Sequence, residues 1–280
     1  MIVNCKEIAE KIIDSIKSDV LKLKKKGIKP HLAIIKANDN PSSEKYVNNK
    51  VKKGLELGID VTVFKENLKS ENDLLKLIDK LNNDIIIHGI IVQLPLYKNI
   101  NSESIIKKII YTKDVDGFSY ETTAKLWNGS KDFFPSPCTA YGIIKIFEYL
   151  NYNLEGKDVV IINRSNIVGK PLAGLLLRKN ATVTLCHSKT KNIPLHTKKA
   201  DVVIVGVGIA KFLSREFVNK NTFVIDVGIN VDKDKKICGD ADFADLKDYV
   251  SYITPVPNGV GQLTVAMVYR NLLDLILKRE

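Results

Sequence analysis

The chain has 280 residues, 45% of them hydrophobic, which is enough to bury one large core or two modest ones and argues against a disordered chain; two domains are expected. Its 43 basic against 32 acidic residues, a net charge of +11, point to anionic partners, whether nucleic acid, a membrane surface, or phosphorylated or polycarboxylate small molecules. Cys5, Cys138, Cys186 and Cys238 stand far apart with no CxxC pair, so zinc is not suggested and a reduced, cytoplasmic setting fits.

Apolar residues at Ile8, Ile12, Ile16, Val20 and Leu23 recur every three to four positions and predict an amphipathic helix over residues 5–26. Its basic end, KLKKK before Gly27, suits the carbonyl end of a helix better than a nucleic-acid patch. A strand at 32–35, a helix at about 43–57 stopped by Gly58, and the alternating strand DVTVF then make a βαβ unit. Inside that helix the stretch YVNNK sets Tyr46 and Lys50 four residues apart, hence on one face.

A helix over 71–82 leads to IIIHGIIVQLP, read as a strand buried on both faces that stops at Pro95. The apolar run 85–96 is too short to cross a bilayer and is broken by His88, Gln93 and Pro95; no membrane span is expected. Nor is a secretory signal, because Asn4, Lys6, Glu7 and Glu10 interrupt the N-terminus. In open parallel sheets functional groups gather beyond the carboxyl ends of strands, and both YVNNK and QLPL fall there. Gln93, inside an apolar strand, must find partners or lose about 1–3 kcal/mol, so a polar site is expected around it.

A helix at 141–150 opens a second half with strands at DVVII, TVTLC, DVVIVG and TFVIDVG, a parallel sheet of dinucleotide-binding type; the domain boundary falls near 137–141. The usual GxGxxG is missing. After DVVII comes Asn163-Arg164-Ser165-Asn166-Ile167-Val168-Gly169-Lys170-Pro171, with one glycine and a proline suited to a first helical turn. The second strand ends in His187-Ser188-Lys189, where no acid is available for a ribose hydroxyl. Arg164 and Ser188 could bind an added phosphate instead, which predicts NADP over NAD; the alternative is a solvated arginine and a turn serine.

YVNNKVKKGLELGI, GIIVQLPL, KDVDGF, PSPCT, RSNIVGKP, ATVTLCHSKT and ITPVPNGVGQLT occur in one chain, in order and over nearly its whole length. Together they resemble the bifunctional methylenetetrahydrofolate dehydrogenase/methenyltetrahydrofolate cyclohydrolase (FolD) family. The resemblance implies an α/β protein of two domains. Residues 1–138 with 263–280 would form an N-terminal folate-binding domain, onto which the C-terminal helix packs back, and 139–262 a Rossmann-like NADP domain. It implies NADP-linked oxidation of 5,10-methylenetetrahydrofolate and hydrolysis of the methenyl product to 10-formyltetrahydrofolate, by a cytoplasmic homodimer with no nucleic acid or membrane partner.

By the same resemblance Tyr46 stacks on the folate, Lys50 is the central catalytic amine and Gln93 its hydrogen-bonding partner, while Leu94, Pro95, Pro257 and Gly259 line the substrate. Asp116 of KDVDGF reads the donors of the pterin. Thr139, Asn163, Arg164, Ser165, Val168, Ser188, Gly206 and Ile229 are the implied cofactor contacts, and no metal is implied. Hydride transfer needs alignment of two planar reactants, which a stacking aromatic supplies. Hydrolysis of a cationic methenyl bridge needs proton removal, for which a lysine serves when burial or a neighbouring cation lowers its pKa. Lys52 and Lys53 should point away from Lys50.

The chain departs from the family pattern at Asn163, at Asn258 for glycine, at Gln262 for proline, at Leu263 for methionine and at SYETTA, residues 119–124. Gln262 is expected to loosen its loop by restoring a backbone donor. Cys138, Cys186 and Cys238 read as core, and His88 and His196 as structural or exposed. A dehydrogenase with little cyclohydrolase activity is the narrower alternative. A basic nucleic-acid-binding protein is the other, disfavoured because no basic-aromatic repeat is present.

Overall fold

Helix α1 (Cys5–Lys25) buries Ile8, Ile16, Val20 and Leu23. It stops where Gly27 takes φ 79° and the Ile28 N–H reaches back to the Leu23 carbonyl at 3.0 Å, a left-handed cap that glycine adopts without steric cost. Lys22, Lys24 and Lys25 fill its last turn. The computed structural model describes residues 1–278, so the last two residues of the expected segment 263–280, Arg279 and Glu280, lie outside the described residues. The chain divides into two compact units: Lys11–Ser136 with Val268–Glu280, here the first unit, and Met1–Glu10 with Pro137–Met267, the second. Two of the three divisions fall within α1 and within the last helix.

In the first unit β1 (His31–Lys36), α2 (Pro41–Glu56), β2 (Asp60–Phe64), α3 (Glu71–Asn83) and β3 (Gly89–Gln93) alternate, giving a parallel sheet ordered β2-β1-β3. Register pairs Leu32 with both Val61 and Gly89, and Lys36 with Gln93, so β1 and β3 end level. One face carries Ile35, Leu74, Ile78, Ile90 and Ile105, the last from α4 (Ser102–Lys108). Ser70 caps α3 through a reciprocal box with Asp73, and Ser119 caps α5 (Tyr120–Trp127) by accepting the Thr122 N–H at 3.2 Å.

The third strand is shorter than the apolar run predicts. Ile85 is 91% exposed and Ile86 is also exposed, because Asp84 Oδ1 accepts the Ile86 N–H at 2.9 Å and its carbonyl accepts from Ile87, a turn that delays the ladder until Gly89. Position 89 is open to glycine alone, because a Cβ there would collide with Val115 and lie 2.7 Å from Leu272 Cδ1.

The second unit follows with α6 (Cys138–Tyr149), β4 (Asp158–Ile162), α7 (Gly169–Leu177), β5 (Thr182–Cys186), α8 (Ile193–Thr197), β6 (Val202–Val205) and β7 (Phe223–Asp226). The hairpin β8 (Asn230–Val231) and β9 (Ile237–Cys238), α9 (Phe243–Leu246), β10 (Tyr252–Ile253) and α10 (Val260–Leu277) complete the chain. Its parallel sheet runs β10-β7-β6-β4-β5, with strands buried on both faces such as Val202 to Val205. The first residues join this sheet through an Ile2–Ile253 bridge and a Val3 N–H to Ile253 carbonyl bond of 2.9 Å.

Cys138 and Cys186 are buried as expected, but Cys238 is only half-buried because its hairpin stands apart from the five-stranded sheet. By length and composition α10 could span a bilayer; its apolar surface instead packs inside the protein, with Leu263, Met267, Tyr269, Leu272 and Leu273 fully buried.

Candidate active site

In the first unit, helix α2 leaves the carboxyl end of β1 and carries Tyr46, Lys50 and Gly54 along one row. Lys50 Nζ donates to Gln93 Oε1 at 3.0 Å, and the Gln93 amide nitrogen donates to the Leu94 carbonyl at 3.0 Å, which turns the amide oxygen toward the amine. The Leu94–Pro95 peptide is cis, and Asn38 Nδ2 holds the Pro95 carbonyl at 2.7 Å. Lys36, level with Gln93, is engaged elsewhere: it donates to the Asn38 carbonyl at 2.8 Å and pairs with Glu44 at 2.9 Å.

The backbone under Lys50 is fixed from α10. The Tyr269 hydroxyl, whose burial raises its pKa, donates to the Lys50 carbonyl, and a Cβ at Gly54 would collide with Val61 and meet the Tyr269 hydroxyl at 3.1 Å. Lys53 pairs with Glu56, and Lys52 is exposed on another side of the helix. The Tyr46 side chain is 45% exposed, leaving its ring available to a planar ligand.

KDVDGF divides its charges by burial. Lys113 is buried and donates to the Leu81 and Asp84 carbonyls at 2.8 and 2.6 Å, capping α3. Asp114, 2% exposed, accepts the N–H groups of Gly117 at 3.0 Å and Ser119 at 2.6 Å, so Asp114 and not Asp116 builds the turn at Gly117. Asp116 faces the charge of Lys50. Burial pushes its carboxyl up to about 6, with Lys50 pulling downward and Asp114 adding to the rise. Asn271 Nδ2 fixes this segment by donating to the Val115 and Ser136 carbonyls at 2.9 and 2.7 Å. Sequence reasoning missed Asp114, Asn271 and Tyr269; the i, i+2 repeat of aspartates was the available signal for the first.

In the second unit, β4 and β5 pair Ile162 with Cys186, and Arg164 and Ser188 follow each strand by two residues, both exposed. Asn163 closes the loop between β4 and α7. Its Oδ1 accepts the N–H groups of Ser165 at 2.8 Å and Gly169 at 3.1 Å, and its Nδ2 donates to the Gly206 carbonyl after β6. Ser165 Oγ accepts the Val168 N–H at 3.2 Å, and Pro171 sits in the first turn of α7. A Cβ at Gly169 would strike the Asn163 carbonyl, so the single glycine permits the close approach of loop and helix. At the sheet's switch point, where β4 turns to β5 on one side and meets β6 on the other, the end of β5 carries no carboxylate.

Ile229 is 58% exposed after β7, and Thr139 Oγ1 lies 3.2 Å from Thr264 Oγ1 of α10. After β10, Pro257 follows a cis peptide bond, and Asn258 takes φ 70°, a left-handed conformation that asparagine tolerates in place of glycine. Gly259 lacks room for a Cβ beside the Pro255 carbonyl. Gln262 does not loosen this loop as expected: its N–H bonds the Gly259 carbonyl at 3.1 Å and its side chain donates to Asn258 Oδ1 at 3.0 Å, so the two departures hold each other. His88 and His196 are half-buried, and among the described residues no group of three His, Cys, Asp or Glu could hold a metal ion.

Residues 3–116 match the family model described as tetrahydrofolate dehydrogenase/cyclohydrolase, catalytic domain, and residues 137–280 match that family's NAD(P)-binding domain. The chain is 54% identical over 279 residues to a bifunctional protein FolD of Malacoplasma penetrans, covering 100% of this chain and 98% of that one. Among solved structures it resembles the bifunctional FolD of Campylobacter jejuni, at 43% identity and a TM-score of 0.97 over 100% of this chain and 99% of that one. It also resembles a FolD of Trypanosoma brucei complexed with NADP cofactor and inhibitor, at 29% identity and a TM-score of 0.94 over 100% and 98%. A chain whose two units both match, at full length, around an amine–amide pair and an acid-free dinucleotide loop, belongs to the tetrahydrofolate dehydrogenase/cyclohydrolase family.

Proposed function

We propose that this protein oxidises 5,10-methylenetetrahydrofolate to the 5,10-methenyl form with NADP and hydrolyses that product to 10-formyltetrahydrofolate. The observation that carries this reading is the Lys50–Gln93 contact of 3.0 Å, with the Asp116 carboxylate near enough to feel the charge of Lys50. Folate binding is assigned to residues 1–138 with 263–280 and the dinucleotide to 139–262, a division by role; the compact units part at 10/11, 136/137 and 267/268.

NADP fits the residues present: Arg164 and Ser188 stand exposed at the ends of neighbouring strands, a guanidinium and a hydroxyl suited to a 2′-phosphate, with no carboxylate at the end of β5 to repel it. When bound, NADP supplies the hydride acceptor for the methylene carbon of the folate. Thr139, Ser165 and Val168 and the loops at Gly206 and Ile229 would hold the rest of the dinucleotide. Tyr46 stacks on the folate ring and aligns it, Asp116 accepts hydrogen bonds from pterin N–H donors, and Leu94 and Pro95 shape the substrate's surroundings.

In the hydrolytic step Lys50 takes the proton of the attacking water. Gln93 orients the amine by accepting its hydrogen bond, and the Asp116 carboxylate balances the charge that Lys50 acquires on taking the proton. A cytoplasmic homodimer is the expected form, and the four free cysteines suit a reducing compartment. The test is an assay of the purified protein with methylenetetrahydrofolate and either NADP or NAD, following methenyl absorbance. A rise and decay with NADP is expected; no rise with either cofactor, or a strong preference for NAD, would contradict the reading.

A further inference from the structure

Two carboxylates in the second unit are buried yet play no part in the chemistry above: Asp226, 2% exposed at the end of β7, and Asp240, 0% exposed just after β9. Six donors converge on them. Asp240 Oδ2 accepts the N–H groups of Val207 and Gly208, the latter at 2.8 Å, and its Oδ1 accepts Asn230 Nδ2 at 2.7 Å. Asp226 Oδ1 accepts the N–H groups of Gly228 at 2.8 Å and of Asp240 itself at 3.1 Å, while its Oδ2 accepts Ala241 N–H at 2.8 Å.

This arrangement needs side-chain oxygens that accept several hydrogen bonds, and it needs glycines. A carboxylate offers about four acceptor positions. A Cβ at Gly228 or Gly239 would collide with the carboxylates of Asp240 and Asp226 respectively, so the backbone passes these groups at a distance open to glycine alone. The groups so fixed are the turns after β6 and β7, which carry Gly206 and Ile229. Asn163 fastens the first of these turns from its other side by bonding the Gly206 carbonyl.

We propose that Asp240, itself held through its N–H by Asp226, is a positioning residue for the dinucleotide site, setting the turns after β6 and β7 at the spacing the cofactor requires. This rests on the dinucleotide reading of the second unit. An amide at position 240 can keep its oxygen on the Val207 and Gly208 N–H groups and present its NH2 to Asn230, whose own amide turns over to accept. Asparagine therefore preserves the link, and alanine removes it.

The test compares the full-length parent, Asp240→Ala and Asp240→Asn in steady-state kinetics and in direct titration with NADP, alongside thermal melts. For Asp240→Ala the KM for NADP is expected to rise at least about tenfold while kcat at saturating NADP and the KM for methylenetetrahydrofolate stay within about threefold; Asp240→Asn stays within about threefold throughout. A folded Asp240→Ala protein with an NADP KM within about twofold of the parent, or one losing kcat and both KM values alike, would overturn the proposal. Should Asp240→Ala not fold, Asn230→Ala, which removes only the donor from the turn after β7, is expected to raise the NADP KM about threefold or more, and an unchanged value would overturn the proposal. A parent that fails to bind NADP overturns the functional reading along with this one; a parent that binds it beside an unaffected Asp240→Ala overturns this one alone.

Discussion

The proposed amine site of the first unit and the proposed dinucleotide site of the second are built on opposite plans. In the first, functional side chains meet directly: Lys50 bonds Gln93, and Asp116 lies within reach of the Lys50 charge. In the second, the half-buried Asn163 and the buried Asp240 hold the backbone still, while Arg164 and Ser188 are exposed. Proton transfer requires a titratable group already placed against its partner, whereas an anion can order an exposed guanidinium on arrival if the loop beneath is rigid. Substitutions in the first region should therefore strike a rate, and those in the second an affinity.

The largest effect is expected from Lys50→Gln, with the cyclohydrolase rate falling about 10²- to 10⁴-fold and the dehydrogenase rate falling far less, measured by separate assays of methenyl decay and NADPH formation. Arg164→Ala comes next. Loss of a charged hydrogen bond to phosphate should raise the NADP KM about 10- to 100-fold and leave NAD turnover unchanged, which competition kinetics would read; a matching rise for NAD would blur the contrast between the regions. Asn163→Gly removes three loop bonds and should cost about 1–3 kcal/mol of stability in urea unfolding while sparing hydrolysis.

The remaining effect concerns pH. Burial holds the Asp116 carboxyl at about 6, above its ordinary 3.8, so its contribution to stability is fully present below about 3.8 and is lost as pH rises through about 6. The loss is at most about 3 kcal/mol. Asp116→Asn should flatten the stability profile over that window relative to the parent. Asp226, also raised to about 6 by burial, titrates in both proteins and cancels in the difference. Identical slopes for parent and variant would mean that Asp116 is not the group responsible.

Much of this plan is legible along the chain, because helical spacing places Tyr46 above Lys50 and a lone glutamine in an apolar strand demands a partner. What periodicity could not convey is competition from side chains. Asp84 captures the Ile86 N–H and leaves Ile85 in solvent where the apolar run predicts a buried strand. The turn at Gly117 is built by Asp114, two residues before Asp116, which leaves Asp116 within reach of the Lys50 charge. Gln262, expected to loosen its loop, bonds Asn258 four residues earlier, and no single-position reading of either departure anticipates the pair. Asp226 and Asp240 stayed invisible because all but one of their partners are backbone groups brought together only by the folded sheet.

The central claim is that Lys50 removes a proton during hydrolysis and is not required for hydride transfer. Mixing preformed 5,10-methenyltetrahydrofolate with excess parent or Lys50→Gln protein under single-turnover conditions isolates that step from the oxidation. The account predicts rapid methenyl decay with the parent and decay near the uncatalysed rate with the variant, while the same variant preparation still forms NADPH from methylenetetrahydrofolate. Decay at the parent's rate in Lys50→Gln, or an equal loss of both activities, would contradict it.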